Sequence, residues 1–244
     1  MHLVMFPGDT AMPTYSPFCL KALCLLEMAG EDWQPEYTTD VTEGPLGKLP
    51  FLRYEERLIP DSSNIEDFLT GRGADFYPGL SHTQICQAHA LKSMVEHSLV
   101  LGMVHDRWLH PDVWPIMREA FFAEAPSDLR DTLADQAQES VRSALMAQGI
   151  ARFSAEDRQA RFDKDLAALD ATLGGQPFLF GAHPTAADAS IAPVLDMIQR
   201  LPADTDLRRA VEANPRFKPY VDRVRASIYP DISRYRPVLT SAAE

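Results

Sequence analysis

From Ser16 to Gly30 the chain reads Ser-Pro-Phe-Cys-Leu-Lys-Ala-Leu-Cys-Leu-Leu-Glu-Met-Ala-Gly. Ser16 can cap the N-terminus of a helix, and Pro17 suits the first turn, where its missing N–H has no partner to lose. Gly30 can take the left-handed conformation that ends the helix. Between these ends only Lys21 and Glu27 interrupt a surface that is apolar on nearly every side. Such a helix must be covered on two faces. It demands its own sheet on one side and a second layer of structure on the other.

The flanking sequence supplies the sheet. Leu3 to Phe6 is a short apolar run, consistent with a buried strand. Turn-rich residues follow from Pro7 to Thr14 and lead into the Ser16 helix. Trp33 to Thr39 can form a second strand. Leu49 to Tyr54 and Arg57 to Ile59 read as a hairpin around Glu55-Glu56, with Pro50 opening its first strand. Asp61-Ser62-Ser63-Asn64-Ile65-Glu66 starts another helix, with Ser63 and Glu66 at capping-box spacing. The order is βαβ and then ββα, which fits a small α/β domain over residues 1–79.

From Thr83 onward the pattern is helical and no convincing strand occurs. His89 to Met103 is a helix candidate, and Arg107 to Pro126 reads as irregular and aromatic. Leu129, Leu133, Ala137, Val141 and Leu145 form an amphipathic stripe ending before Gly149. Ser154 caps a helix lined by Phe162, Leu166, Leu169 and Leu173, which Gly174-Gly175 ends. Thr185-Ala186-Ala187-Asp188 opens a buried helix toward Ile198, with Asp188 as a structural cap. Shorter helices follow near Leu207–Glu212 and Phe217–Ala226. The expected organisation is an α/β domain over 1–79, an all-helical domain over 83–228 and an extended tail over 229–244.

A formal charge of −12 without a cluster of Lys and Arg argues against nucleic acid or an anionic membrane surface as partner. Three cysteines, Cys19, Cys24 and Cys86, are too few and odd in number for a disulfide framework. No run approaches the ~20 apolar residues that span a bilayer. The N-terminus lacks the basic start and the apolar length of a secretory signal, so the expectation is a cytoplasmic protein. His82, His89, His97, His105 and His110 show no metal-ligand spacing, and no metal is assigned.

Three places can carry chemistry. A loop feeding the Ser16 helix presents free N–H groups and the positive end of a dipole, where a thiolate is stabilised. Ser16 can donate to the sulfur of a bound thiol, and Cys19 in the same turn can itself be acidified; equally, Ser16 is a plain cap and Cys19 a small buried residue. A cis bond at Leu49-Pro50 would turn the Leu49 backbone outward to pair with an extended peptide. Asp61-Ser62 at a helix start can hold an amino-acid head group, or simply cap. In this order the three describe a receptor for γ-glutamyl-cysteinyl-glycine. Arg107, Trp108, Trp114 and Phe121 can roof an apolar substrate pocket between the domains, or be plain core.

These stretches, with Gly47-Lys48-Leu49-Pro50-Phe51, Ala147-Gln148-Gly149-Ile150 and Phe178-Leu179-Phe180-Gly181 through Asp188, resemble the glutathione transferase superfamily. Within it the resemblance points to the group of metaxin and failed-axon-connections proteins. The resemblance implies the glutathione transferase fold, an α/β thioredoxin-like N-terminal domain plus an all-α C-terminal helical bundle. It implies glutathione as co-substrate, with Ser16, or the rival Tyr15, meeting the sulfur. It implies Leu49 as the backbone contact beside Pro50, Asp61 and Ser62 as γ-glutamyl contacts, and Lys48 beside the peptide. A small apolar electrophile and a homodimer belong to the same expectation. Two rivals stand beside it: a non-catalytic binding or scaffold module, and a thiol–disulfide reductase working through Cys19.

Overall fold

The structure, a computed structural model, describes residues 1–123 and 125–235. Four strands form one mixed sheet: β1 (His2–Met5), β2 (Gln34–Tyr37), β3 (Phe51–Tyr54) and β4 (Arg57–Pro60), in the order β2-β1-β3-β4. β1 runs parallel to β2, with Val4 opposite Glu36, and antiparallel to β3, with Val4 opposite Phe51. Leu3, Val4 and Met5 are fully buried because β1 lies inside the sheet. Pro35 and Pro60 both fall on edge strands, where the absent N–H breaks no inner ladder.

The crossover from β1 to β2 is α1 (Pro17–Ala29), capped by Ser16 and closed by Gly30 at φ 66°. Its run from Cys19 to Leu26 is buried without a break, Lys21 included. α2 (Ser62–Gly71) follows the β3–β4 hairpin. It starts one residue before the anticipated capping box, with Asp61 as its cap. The spacing of Ser63 and Glu66 therefore has another cause, taken up below.

Among the described residues the remainder is helical: α3 (His82–Met94), α4 (Val100–Leu109), α5 (Trp114–Phe121), α6 (Arg130–Gln148), α7 (Ala155–Leu173), α8 (Ala186–Gln199), α9 (Asp206–Ala213) and α10 (Phe217–Ile228). Residues 95–99 form a π turn joining α3 to α4, so the helix anticipated over 89–103 runs from 82 to 109. α5 occupies part of the stretch expected to be irregular. Its aromatic content and Pro115 disguise it, although a proline in the first turn is compatible with a helix. In α6 the buried face passes through Ala134 and Leu145, while Leu129 and Leu133 stay 49% and 41% exposed. The stripe drawn through every fourth residue slipped off the true face, because 3.6 residues per turn accumulates error over five positions.

The chain forms two compact units. Among the described residues, the first gathers 1–89, 175–193 and 220–235, and the second gathers those of 90–174 together with 194–219. In the first unit, Asp188 near the start of α8 is a buried hub. It accepts from Leu179 N (3.0 Å), Thr185 N (2.7 Å), Thr185 Oγ1 (2.8 Å) and Tyr220 Oη (2.9 Å). The tail anticipated as extended instead makes a 3-10 turn over Ile232–Tyr235. Tyr235 stacks on Trp33 with ring centroids 5.6 Å apart, its carbonyl accepts from Tyr37 Oη, and Arg234 pairs with Glu27 at 3.2 Å. Residues 236–244 of that tail lie outside the described residues. In the second unit, Gly102 lets α4 approach its neighbours. A Cβ there would sit 2.5 Å from Phe162 Cζ on α7 and 3.0 Å from Leu207 Cδ2 on α9.

Candidate functional site

The loop before α1 is knitted by its own hydrogen bonds. Gly8 has no room for a side chain, since a Cβ would lie 2.1 Å from the Met12 carbonyl oxygen. Asp9 Oδ1 accepts from Ala11 N (2.7 Å) and Met12 N (2.8 Å), and Tyr15 Oη donates to Asp9 Oδ2 at 3.2 Å. Tyr15 is thus engaged within the loop. Ser16 is half-buried at the end of this loop, with φ −98° and ψ 124°, the extended geometry of an N-cap. Its Oγ accepts from Cys19 N at 3.3 Å, and its own N–H donates to Thr14 Oγ1 at 3.2 Å. Accepting one hydrogen bond leaves the hydroxyl proton available to donate.

Cys19 does not carry the acidified thiol anticipated for it. Burial pushes its pKa up from 9.0 to about 11, and hydrogen bonds involving Ser16, the Phe6 backbone and Thr14 only partly offset this. Desolvation outweighs the helix dipole because the side chain is wholly enclosed. A thiol of this kind is neutral at pH 7 and cut off from substrate. The reductase reading loses its reactive group.

The Leu49-Pro50 peptide bond is cis. Leu49 precedes the ladder, which begins at Phe51, so its backbone takes no part in the sheet. The Pro50 carbonyl accepts from Asp61 N at 3.1 Å, which ties this loop to the start of α2. Asp61 adopts φ 71° and ψ 142°, a conformation that side-chain-bearing residues rarely take, and its Oδ1 accepts from Ser63 N at 2.7 Å. Ser62 is buried behind it, and Lys48 is exposed. The cis-proline loop and the Asp61–Ser62 turn are therefore adjacent, as a peptide receptor requires.

A feature that sequence reasoning passed over links α1 to α2. Lys21 is 1% exposed. Its Nζ donates to Ser63 Oγ at 3.2 Å and lies 4.0 Å from Glu66 Oε2, and Glu66 Oε1 accepts from Tyr77 Oη at 2.8 Å. Ser63 and Glu66 fall three apart because both face Lys21 from successive turns of α2. The signal was available: a lone lysine on an otherwise apolar helix needs a buried partner.

Arg107, Trp108, Trp114 and Phe121 come together in the second unit. The Trp108 and Trp114 rings stack with centroids 5.0 Å apart, Phe121 lies 5.4 Å from Trp108, and Arg107 is buried. Gln138 Nε2 donates to the Trp108 carbonyl at 2.8 Å. Among the described residues no group of three or more metal-ligating side chains occurs, and no helix is long and apolar enough to cross a membrane.

Comparison with known proteins places this geometry. Residues 17–113 match the family model of the glutathione S-transferase N-terminal domain, and residues 148–223 match that of the C-terminal domain. Human metaxin-2 is 26% identical over 148 residues, 60% of this chain and 56% of that protein. Failed axon connections of Drosophila melanogaster is 25% identical over 245 residues, 95% of this chain and 58% of that protein. The chain thus spans little more than half the length of these curated relatives. Among solved structures, glutathione S-transferase III in its apo form superposes with a TM-score of 0.61 over 97% of both chains at 18% identity, a likeness of fold. The kinship corrects the expectation of a purely cytoplasmic location, because metaxins are proteins of the mitochondrial outer membrane. That no helix among the described residues is long and apolar enough to cross a membrane bears on insertion, not on attachment at a membrane surface. Fold and family models converge: this chain belongs to the glutathione S-transferase superfamily, and within it is related to the metaxin and failed-axon-connections proteins.

Proposed function

We propose that the chain binds glutathione along the Leu49-Pro50 loop and conjugates it to a small apolar electrophile. Asp61 and Ser62 take the γ-glutamyl end, the Leu49 backbone pairs with the cysteinyl residue, and Lys48 lies beside the peptide. Ser16 donates to the sulfur and stabilises the thiolate, aided by the N-terminal end of α1. The sulfur then attacks an electrophilic carbon: a C–S bond forms, the leaving group departs with its bonding pair, and the thiol proton passes to solvent. The rate gain comes from holding a thiolate beside a positioned electrophile. A homodimer is part of the same proposal. The observation that carries it is the bond from Asp61 N to the Pro50 carbonyl at 3.1 Å, which joins the two peptide-holding elements.

The test is calorimetric titration with glutathione, followed by conjugation of a chloronitrobenzene at saturating glutathione. Ser16→Ala should keep glutathione affinity within a few-fold and lower turnover on the order of 10–100-fold, the scale for losing one donor to a developing anion. Tyr15→Phe should leave both near wild type. If Tyr15→Phe abolished turnover and Ser16→Ala did not, the role assigned to Ser16 would pass to Tyr15. A second reading, a non-catalytic glutathione-binding module, is favoured by the kinship with metaxins, whose names carry no transferase activity. Tight glutathione binding with no turnover across a panel of electrophiles would select it.

A further inference from the structure

We infer that Lys21 is a positioning residue of the glutathione site, acting through Ser63 to set the N-terminal turn of α2; the inference rests on the glutathione reading above. Lys21 stands five residues after Ser16 on the same helix, in a stretch where every other side chain from Cys19 to Leu26 is apolar. An apolar residue of similar length would satisfy that burial, and a buried ion pair is seldom worth more than its hydrophobic replacement. A charge kept in such a place is explained by what it holds in position. Its ammonium meets Ser63 Oγ at 3.2 Å, and Ser63 N–H in turn meets Asp61 Oδ1 at 2.7 Å. Asp61 sits at φ 71°, an unfavourable conformation that persists only where its surroundings impose it. Pro50 O and Ser63 N impose it from two sides. Glu66, one turn on, balances the lysine charge at 4.0 Å and is itself fixed by Tyr77. Lys21, Ser63 and Asp61 thus form one line from the interior of α1 to the residues proposed to clamp the γ-glutamyl group.

The experiment measures glutathione affinity by calorimetry, and melting temperature without ligand, for wild type, Ser63→Ala, Lys21→Met and the double variant. Ser63→Ala strips one acceptor from the buried Lys21 ammonium, so it should melt a few degrees below wild type and bind glutathione about fivefold more weakly. Lys21→Met should weaken binding about tenfold or more, and the double variant should be no weaker than Lys21→Met alone, the non-additivity expected of residues in one line. Should Lys21→Met fail to fold, Lys21→Gln takes its place in the cycle. Additive losses would mean the two residues act separately and would overturn the inference. So would wild-type affinity in both single variants, which would leave the glutathione reading intact. Absence of glutathione binding by the wild type removes that reading, and this inference with it.

Discussion

At the opening turn of α1, the same backbone serves two side chains to opposite effect. Ser16 remains half-buried with a proton to donate, while three residues later Cys19 is sealed inside, its pKa raised to about 11 by desolvation. The Cys24 thiol is likewise pushed well above its ordinary value by burial and by the charge of Glu27. In the native protein only the exposed Cys86 should react quickly with a disulfide reagent at pH 8, and all three thiols should react in denaturant. The shift also has a thermodynamic consequence. Below pH 9 both folded and unfolded states keep the Cys19 proton, and the full stability is present. As pH rises from 9 toward 11 the unfolded state loses that proton first, and stability falls by up to about 3 kcal/mol. Cys19→Ala should therefore lose less urea stability than wild type between pH 8 and pH 10.5; identical slopes would contradict the sealed thiol. The sequence made Ser16, Pro17 and Gly30 readable because caps and breakers act locally. Whether Cys19 faced solvent depended on distant chain, and no local pattern carries that.

Among the elements, those read correctly from sequence are bounded by strong local punctuation. α1, α7 and the hairpin each have a cap, a glycine or a turn pair at their ends. α5 was missed because its cap residue, Val113, makes no side-chain hydrogen bond, and α2 was given the wrong cap because Ser63 and Glu66 mimic a capping box while serving Lys21. The Thr185–Asp188 signal, by contrast, was sound and understated. Asp188 satisfies four donors from three separate stretches of the first unit, so it does more than start α8. Burial pushes its carboxyl pKa up while the four hydrogen bonds draw it back. Removing it strands those donors where no water can reach them, each at about 1–3 kcal/mol. Asp188→Ala should thus lose on the order of 4 kcal/mol or more and lower the melting temperature by roughly 10 °C, measured by circular dichroism. A loss below about 1 kcal/mol would reduce Asp188 to an ordinary surface cap.

At the scale of the whole molecule, a linear division into an α/β part ending at residue 79 followed by helices is what hydrophobic periodicity alone can offer, since it reads neighbours in sequence. Compactness in space follows another rule. The first unit takes in residues 175–193 and 220–235 as well as 1–89. Phe76 O accepts from Ala186 N at 3.1 Å, Trp33 is covered by Tyr235, and Arg225 reaches the Ala11 carbonyl at 3.4 Å. These late stretches close surfaces that residues 1–79 leave open. A fragment of that length already buries a modest share of its surface, near the size at which a single core becomes marginal. The fragment 1–79 expressed alone should therefore fail to reach a native state: its amide NMR spectrum should be poorly dispersed, and its unfolding in urea should lack a cooperative midpoint. Supplying residues 175–235 in trans would also bring in residues 194–219, which belong to the second unit. The full chain with Trp33→Ala is the sharper companion, since it keeps connectivity and removes the stack on Tyr235 together with the 2.9 Å hydrogen bond that Trp33 Nε1 donates to Glu27 Oε1. If the isolated fragment gave a dispersed spectrum and a single cooperative transition, the late stretches would be coverings added to a finished domain instead of parts of its core.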